Sequence, residues 1–238
     1  KEVVWSTSIL VETRREIAEL RELAQDGDLA VEANDLGAVA LLAGRRHCIG
    51  PTVNVYNEDT LAFLARRGAR RFALPWELPA ASIAPLAAAA ARANAEIEAN
   101  VFGRMPLAIS ARCYHARAHG LAKDSCRYVC VEDPDGLDVR TLDDEPFLAV
   151  NGVQTLSHRY LCLLEDLPAL VRLGAALLRL WPHAVDMVAA ARLFRDVADG
   201  RLEAAAARAA LSALAPSAVF ANGFYHGAAG AAAIAAPD

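Results

Sequence analysis

No stretch of this sequence is apolar for long enough to cross a membrane as a helix. No basic-plus-apolar leader of the secretory kind opens it. No Gly-x-Ser-x-Gly elbow marks a hydrolase nucleophile, and no motif assembles a Ser–His–Asp or Cys–His arrangement, so a working peptidase is not expected. The net charge of −5 gives no basic field for phosphates, and no nucleic-acid partner is expected. Cysteine is scarce and odd in number, five in 238 residues, which argues against a disulfide scaffold. The expected compartment is a bacterial cytoplasm, where thiols stay reduced and available for metal. What the chain holds in quantity is apolar: 55% hydrophobic against 22% charged residues, ample for a large core.

Three of the five cysteines crowd into one polar segment, Ala111 to Cys130, at positions 113, 126 and 130. Thiolates are soft, strongly donating ligands that suit iron–sulfur clusters and zinc. Cys126 and Cys130 are four apart, so one helical turn would set both sulfurs on one face. Arg112, Arg117, Lys123 and Arg127 surround them, and positive charge favours the thiolate. Four readings stay open on residues alone: small buried hydrophobes, a disulfide, zinc with His115 or His119 as a further ligand, and an iron–sulfur cluster, which is modestly favoured. Cys162 lies in an apolar run, Leu161–Leu167, and reads first as core; Cys48, beside His47, reads as structural.

Before this segment the chain alternates. Apolar strands are expected at Val3–Leu10, Leu29–Ala33, Thr52–Tyr56, Arg71–Leu74 and Ala95–Val101, and helices at Glu12–Ala24, Ala38–Ala43, Glu58–Arg67 and Ile83–Asn94. Asp35 or Asn34, and Asn57, stand where helix caps belong. Strand–helix alternation at about 20 to 25 residues indicates parallel β with right-handed crossovers. The expected fold is α/β, a TIM-like parallel β/α barrel in one domain over 1–238 with a cysteine-bearing insertion. Glu32, Asn54, Glu77 and Glu98 recur at strand ends and, with Gln154, are expected to line a shared pocket at the carboxyl face. Each also reads singly as a cap or turn residue. Behind the cysteines, Leu137–Arg140 and Phe147–Val150 are expected to pair antiparallel. Asn151–Ser157 then reads as a loop, Leu161–Leu173 as a helix, Ala175–Leu180 as a strand, and Ala184–Ala198 and Leu202–Leu214 as helices. The chain begins with Lys1 rather than Met, directly before an apolar run, so the barrel is expected to lack its first units.

The order of segments resembles the U32 peptidase-like family, and within it the V-type branch of oxygen-independent ubiquinone biosynthesis. The likeness is carried by Val-Glu-Ala-Asn-Asp-Leu-Gly at 31–37, Val-Asn-Val-Tyr-Asn at 53–57, Leu-Pro-Trp-Glu-Leu at 74–78 and Ser-Ala-Arg-Cys-Tyr at 110–114. It continues in Lys-Asp-Ser-Cys-Arg-Tyr-Val-Cys at 123–130, Asn-Gly-Val-Gln-Thr-Leu-Ser at 151–157 and Asn-Gly-Phe-Tyr-His-Gly at 222–227. The C-x12-C-x3-C spacing is the most specific part. The resemblance implies a [4Fe–4S] cluster on Cys113, Cys126 and Cys130. It implies a fourth ligand from an N-terminal region absent here, on the order of 60 residues in a fold of this size, with Cys162 next in line. It also implies a heterodimer with a U-type family member and anaerobic ring hydroxylation of a quinone precursor. The rivals are a U32-type factor for RNA base hydroxylation and a zinc-stabilised scaffold without redox role.

Overall fold

The structure is a computed structural model that describes residues 2–235. The chain forms two compact units. The first takes the residues up to Asn100 with Ala169–Arg179 and Phe224–Gly227; the second takes Val101–Pro168, Leu180–Gly223 and the residues from Ala228.

The first unit is parallel α/β. Strands β1 (Val4–Ser6), β2 (Ala30–Ala33), β3 (His47–Ile49), β4 (Ala69–Ala73) and the start of β5 (Glu96–Ile109) pair in that order, each parallel to the next. Helices α1 (Arg14–Gln25), α2 (Leu36–Leu41), α3 (Glu58–Arg66) and α4 (Ala80–Arg92) make the crossovers. Their starts are written in the sequence. Thr13 and Glu16 close a reciprocal capping box on α1. Asp35 Oδ1 accepts from Ala38 N at 2.6 Å on α2, and Asn57 Oδ1 from Thr60 N at 2.9 Å on α3. Val31, Ile49, Leu61, Phe72, Leu86 and Ile97 are buried and form the core.

Two expectations fail in this unit. Thr52–Tyr56 is not a strand: Pro51 opens a 3-10 turn over 51–53, since proline has no N–H to give a sheet ladder. The strand lies earlier, at His47–Ile49, where His47 and Ile49 are buried despite the polar look of the segment. Val3–Leu10 is not a buried strand either. It shortens to three residues that pair with β2, and Val3 and Trp5 stay exposed.

The second unit departs from the barrel pattern. The rest of β5 pairs antiparallel with β8 (Gln154–Cys162), β8 with β7 (Pro146–Asn151), and β7 with β6 (Leu137–Arg140). The β6–β7 pairing agrees with expectation. Asn151–Ser157, expected as a loop, is instead a two-residue hairpin, Gly152-Val153, running into β8. Gly152 has φ +58°, the conformation that a two-residue hairpin with glycine first demands. Leu161–Cys162 ends a strand rather than opening a helix, and helix α6 is only Leu167–Arg172. A short apolar run has the same look in both states. Strand β9 (Ala175–Leu180), all but its last residue in the first unit, pairs with β5; in the second unit β10 (Phe220–Ala221) lies parallel to β8. Helices α7 (Met187–Ala198) and α8 (Ala204–Leu214) pack together. The fold is therefore mixed α/β, and uniform parallel alternation holds in the first unit.

One residue shows how tightly the second unit is built. Gly103 has φ +120°, and a Cβ there would stand 2.7 Å from Trp181 Cβ and 2.9 Å from His183 Nε2. That close approach lets Arg104 N donate to His183 Nε2 at 3.0 Å, while His183 Nδ1 contacts Asp135 Oδ1 at 3.1 Å. Because Nε2 accepts, Nδ1 carries the proton and donates to the carboxylate. Burial lowers the His183 pKa first; Asp135 opposes that shift and Arg104 adds to it.

Two outcomes follow. Gly103→Ala forces both the clash and a forbidden backbone conformation, and should destabilise by roughly 2–4 kcal/mol in denaturant titration. Gly200→Ala, at φ +69° with nothing within 4 Å, should cost only about 1 kcal/mol. For His183, the unfolded ring binds protons that the folded ring refuses. Its contribution is complete above the ordinary value of 6.5 and is lost as pH falls through the depressed folded value. The denaturation midpoint should drop from about pH 7.5 to about pH 5.5, and less steeply in His183→Gln. A slope identical in the variant would refute the assignment.

Candidate metal centre

The segment between β5 and β6 carries the three clustered cysteines, all in the second unit. Cys113 caps helix α5 (Tyr114–Ala118), and its Sγ accepts from Ala116 N at 3.3 Å. Cys126 follows a 3-10 turn over Lys123–Ser125, and its Sγ accepts from Tyr128 N at 3.4 Å. Cys130 lies inside a second 3-10 turn, Val129–Glu132. The two turns replace the single helical turn expected over 126–130, and Arg127 and Tyr128 take positive φ between them. Cys113 is buried; Cys126 and Cys130 are half-buried, and all five cysteines are free thiols. Two of the three sulfurs in this segment thus already receive a backbone N–H, the kind of donor that stabilises a thiolate.

The same segment gathers a second donor set. Helix α5 packs on β7 and on the turn Val129–Glu132. His115, with no exposed surface, contacts Val150 O through Nδ1 at 3.0 Å. Its Nε2 stands 3.0 Å from Asp133 Oδ2, and His119 Nε2 stands 3.8 Å from the same oxygen. Among the described residues, this is the group of three donors whose atoms all lie within 4.8 Å of one another. The sulfurs of a four-iron cluster each bind a different iron, so they sit further apart than donors on one ion, and this spacing does not bear on them. In the sequence, His115 or His119 enters only as a further ligand in the zinc reading, and Asp133 reads as part of a turn.

Cys162 ends β8 opposite Phe102, buried, and burial pushes its thiol up to about 11. Cys48 sits in β3 and is likewise raised to about 11, by burial first and with Arg71 opposing.

Of the residues expected to share a pocket, two meet. Arg179 on β9 donates to Glu98 Oε1 at 2.7 Å and to both oxygens of Glu32, at 3.2 Å for Oε1. Glu32 Oε1 also accepts from Ser6 Oγ at 3.2 Å and Asn34 Nδ2 at 3.3 Å. The cluster sits where β1, β2 and β9 end, with side-chain exposures of 19% for Arg179, 6% for Glu32 and 13% for Glu98. Both carboxylates raise the Arg179 pKa against its burial, so the guanidinium stays charged. Asn54 is exposed and left-handed, closing the 51–53 turn. Glu77 is exposed and accepts from Tyr56 Oη, whose pKa rises to about 12 through desolvation and then this carboxylate. Gln154 opens β8 in the second unit, opposite Ile109 and Asn151. Arg179 was missed as a functional group; a lone arginine in the apolar run Ala-Ala-Leu-Leu-Arg-Leu was the available signal.

The sequence pattern of Peptidase family U32 matches residues 3–234. No solved structure matches the chain.

Removing Arg179 leaves two buried carboxylates facing each other without a cation. Arg179→Met should destabilise by about 3–5 kcal/mol, measured by denaturant unfolding at neutral pH. Adding Glu32→Gln and Glu98→Gln should recover part of that loss. Equal stability of wild type and Arg179→Met would contradict the account.

Proposed function

The chain belongs to Peptidase family U32, and from that premise we propose that it is an iron–sulfur protein of oxygen-independent ubiquinone biosynthesis, a V-type member of the family (UbiV). It acts with a U-type partner in a cytoplasmic heterodimer that hydroxylates the ring of a quinone precursor. The observation that carries the reading is the C-x12-C-x3-C set at 113, 126 and 130.

The donor set fits the cluster. Three soft thiols lie on one irregular segment, two of them half-buried and open to assembly. Sγ of Cys113 and of Cys126 already accept N–H donors, which lower the cost of holding negative charge on sulfur. Cys113, Cys126 and Cys130 would hold a [4Fe–4S] cluster, whose chemistry is one-electron transfer at a potential that the surrounding hydrogen bonds and burial tune. The fourth ligand comes from outside these three. Cys162 suits that role poorly, since its burial beside Phe102 favours the protonated thiol. Arg112, Arg117, Lys123 and Arg127 place positive charge along the segment, which offsets the net negative charge of a thiolate-ligated cluster.

Anaerobic purification tests the reading. The expected product is brown, with a broad absorption that bleaches on reduction and about four irons and four sulfides per chain. Cys126→Ser should lose both colour and iron while keeping its circular dichroism. A colourless protein that holds zinc through the three thiols would sink the proposal.

A further inference from the structure

We propose that His115, His119 and Asp133 form a mononuclear site for a divalent first-row transition ion of the zinc type, separate from the three cysteines. The argument starts from one lone pair. His115 Nδ1 faces the Val150 carbonyl at 3.0 Å, and a carbonyl only accepts, so the ring proton sits on Nδ1. On a neutral ring that leaves the lone pair of Nε2 bare, and Nε2 has no hydrogen-bond partner although His115 is fully buried. It faces Asp133 Oδ2 at 3.0 Å, another lone-pair centre. Two acceptors held face to face, one of them fully buried, repel unless a cation lies between them.

The surroundings favour a metal ion. His119 follows His115 at the spacing that stacks rings on one helical face, and the two imidazoles lie parallel within 6° with centroids 5.4 Å apart. Both Nε2 atoms approach the same carboxylate oxygen, at 3.0 and 3.8 Å. Ligands on a tetrahedral zinc ion with bonds of about 2.0–2.1 Å stand about 3.3 Å apart, inside that range. The Val150 carbonyl gives His115 the outer-shell partner that metal-bound histidines take to fix their tautomer. His119 and Asp133 are 32% and 29% exposed, so the ion has an entry path and a water for its fourth position. Two imidazoles and one carboxylate suit zinc and its neighbours rather than calcium or magnesium. Bound there, the ion ties α5 to the end of the turn Val129–Glu132.

The test uses the full chain, freed of metal with a chelator, and Zn(II) and Co(II) as probes. Expected is one Co(II) per chain with visible d–d bands and without the near-ultraviolet charge transfer of a Co–thiolate bond. Zn(II) should displace it and raise the melting temperature. The Cys126→Ser/Cys130→Ser double variant cannot build the cluster proposed above and should bind Co(II) unchanged, which separates failure of this site from failure of that reading. His119→Ala and Asp133→Asn, both at part-exposed positions, should lose affinity by more than the roughly 10–100-fold that an outer-shell loss costs, with circular dichroism unaltered. Three results each overturn the site: no Zn(II) or Co(II) binding, which would assign the contact to a proton on His115; unchanged affinity in both variants; or a thiolate charge-transfer band that the cysteine double variant abolishes.

Discussion

In the first unit the guanidinium of Arg179 is the constraint on which the other arrangements rest. Strand β9 reaches this unit from far along the sequence and brings one positive charge to two acidic strands, β2 and β5. The order of preference is physical. Each carboxylate alone would face a desolvation cost of several kcal/mol, and only a planar cation with several donors satisfies two carboxylates at once. Glu32 then spends its remaining capacity on Ser6 and Asn34. Asn34 in turn binds Thr7 O and receives Thr52 Oγ1 on its own carbonyl. The ends of β1 and β2 and the turn after β3 are thus tied into one polar layer over an apolar core. A lysine in place of Arg179 would supply charge but not the fork.

That same saturation limits what the layer does. Carboxyl ends of parallel strands are where α/β proteins place their ligands, and Glu32 and Glu98 stand there as expected. Both oxygens of Glu32 and Oε1 of Glu98, however, are already occupied by Arg179. They act as fixed scaffold, not as free acid or base. The sites proposed above lie instead on the irregular segment between β5 and β6, where the cysteine sulfurs face no ion-pair partner among the described residues.

How much of this was legible depended on the range of the interaction. Helix caps are local, so Asp35 and Asn57 announced α2 and α3, and the β6–β7 pair followed from alternation and a turn. The sites of failure are those where tertiary packing outvoted local pattern. His47-Cys48-Ile49 looks polar but is drawn into the sheet between β2 and β4. Thr52–Tyr56 looks like a strand but is drawn into the 3-10 turn that Pro51 opens. Leu161-Cys162 continues β8 because Phe102 and Gly103 pair with it, and nothing within the run itself says so. The cysteine spacing and His115 or His119 stand out in the sequence as candidate ligands. Asp133 does not, because its role arises only when α5 folds back onto the turn that precedes it.

The two donor sets share one segment for a reason rooted in burial. From Ala111 to Asp133, only Cys113, His115 and Ala116 are buried. Helix α5 has five residues, and the two 3-10 turns bury none. Helices this short are not stable on their own, and so little apolar area cannot offset the conformational entropy of ordering more than twenty residues. If the proposed sites are filled, their metal–ligand bonds supply directly the folding free energy that burial does not. Soft thiolates also take iron–sulfur clusters, which the harder imidazole–carboxylate set does not favour, although zinc suits both. Cys113 and His115 are two residues apart on α5, one on each set. Ordering the helix through either set lowers the entropy cost that the other must meet. Were both proposed sites filled together, the entropy already met by one would favour the other by linkage.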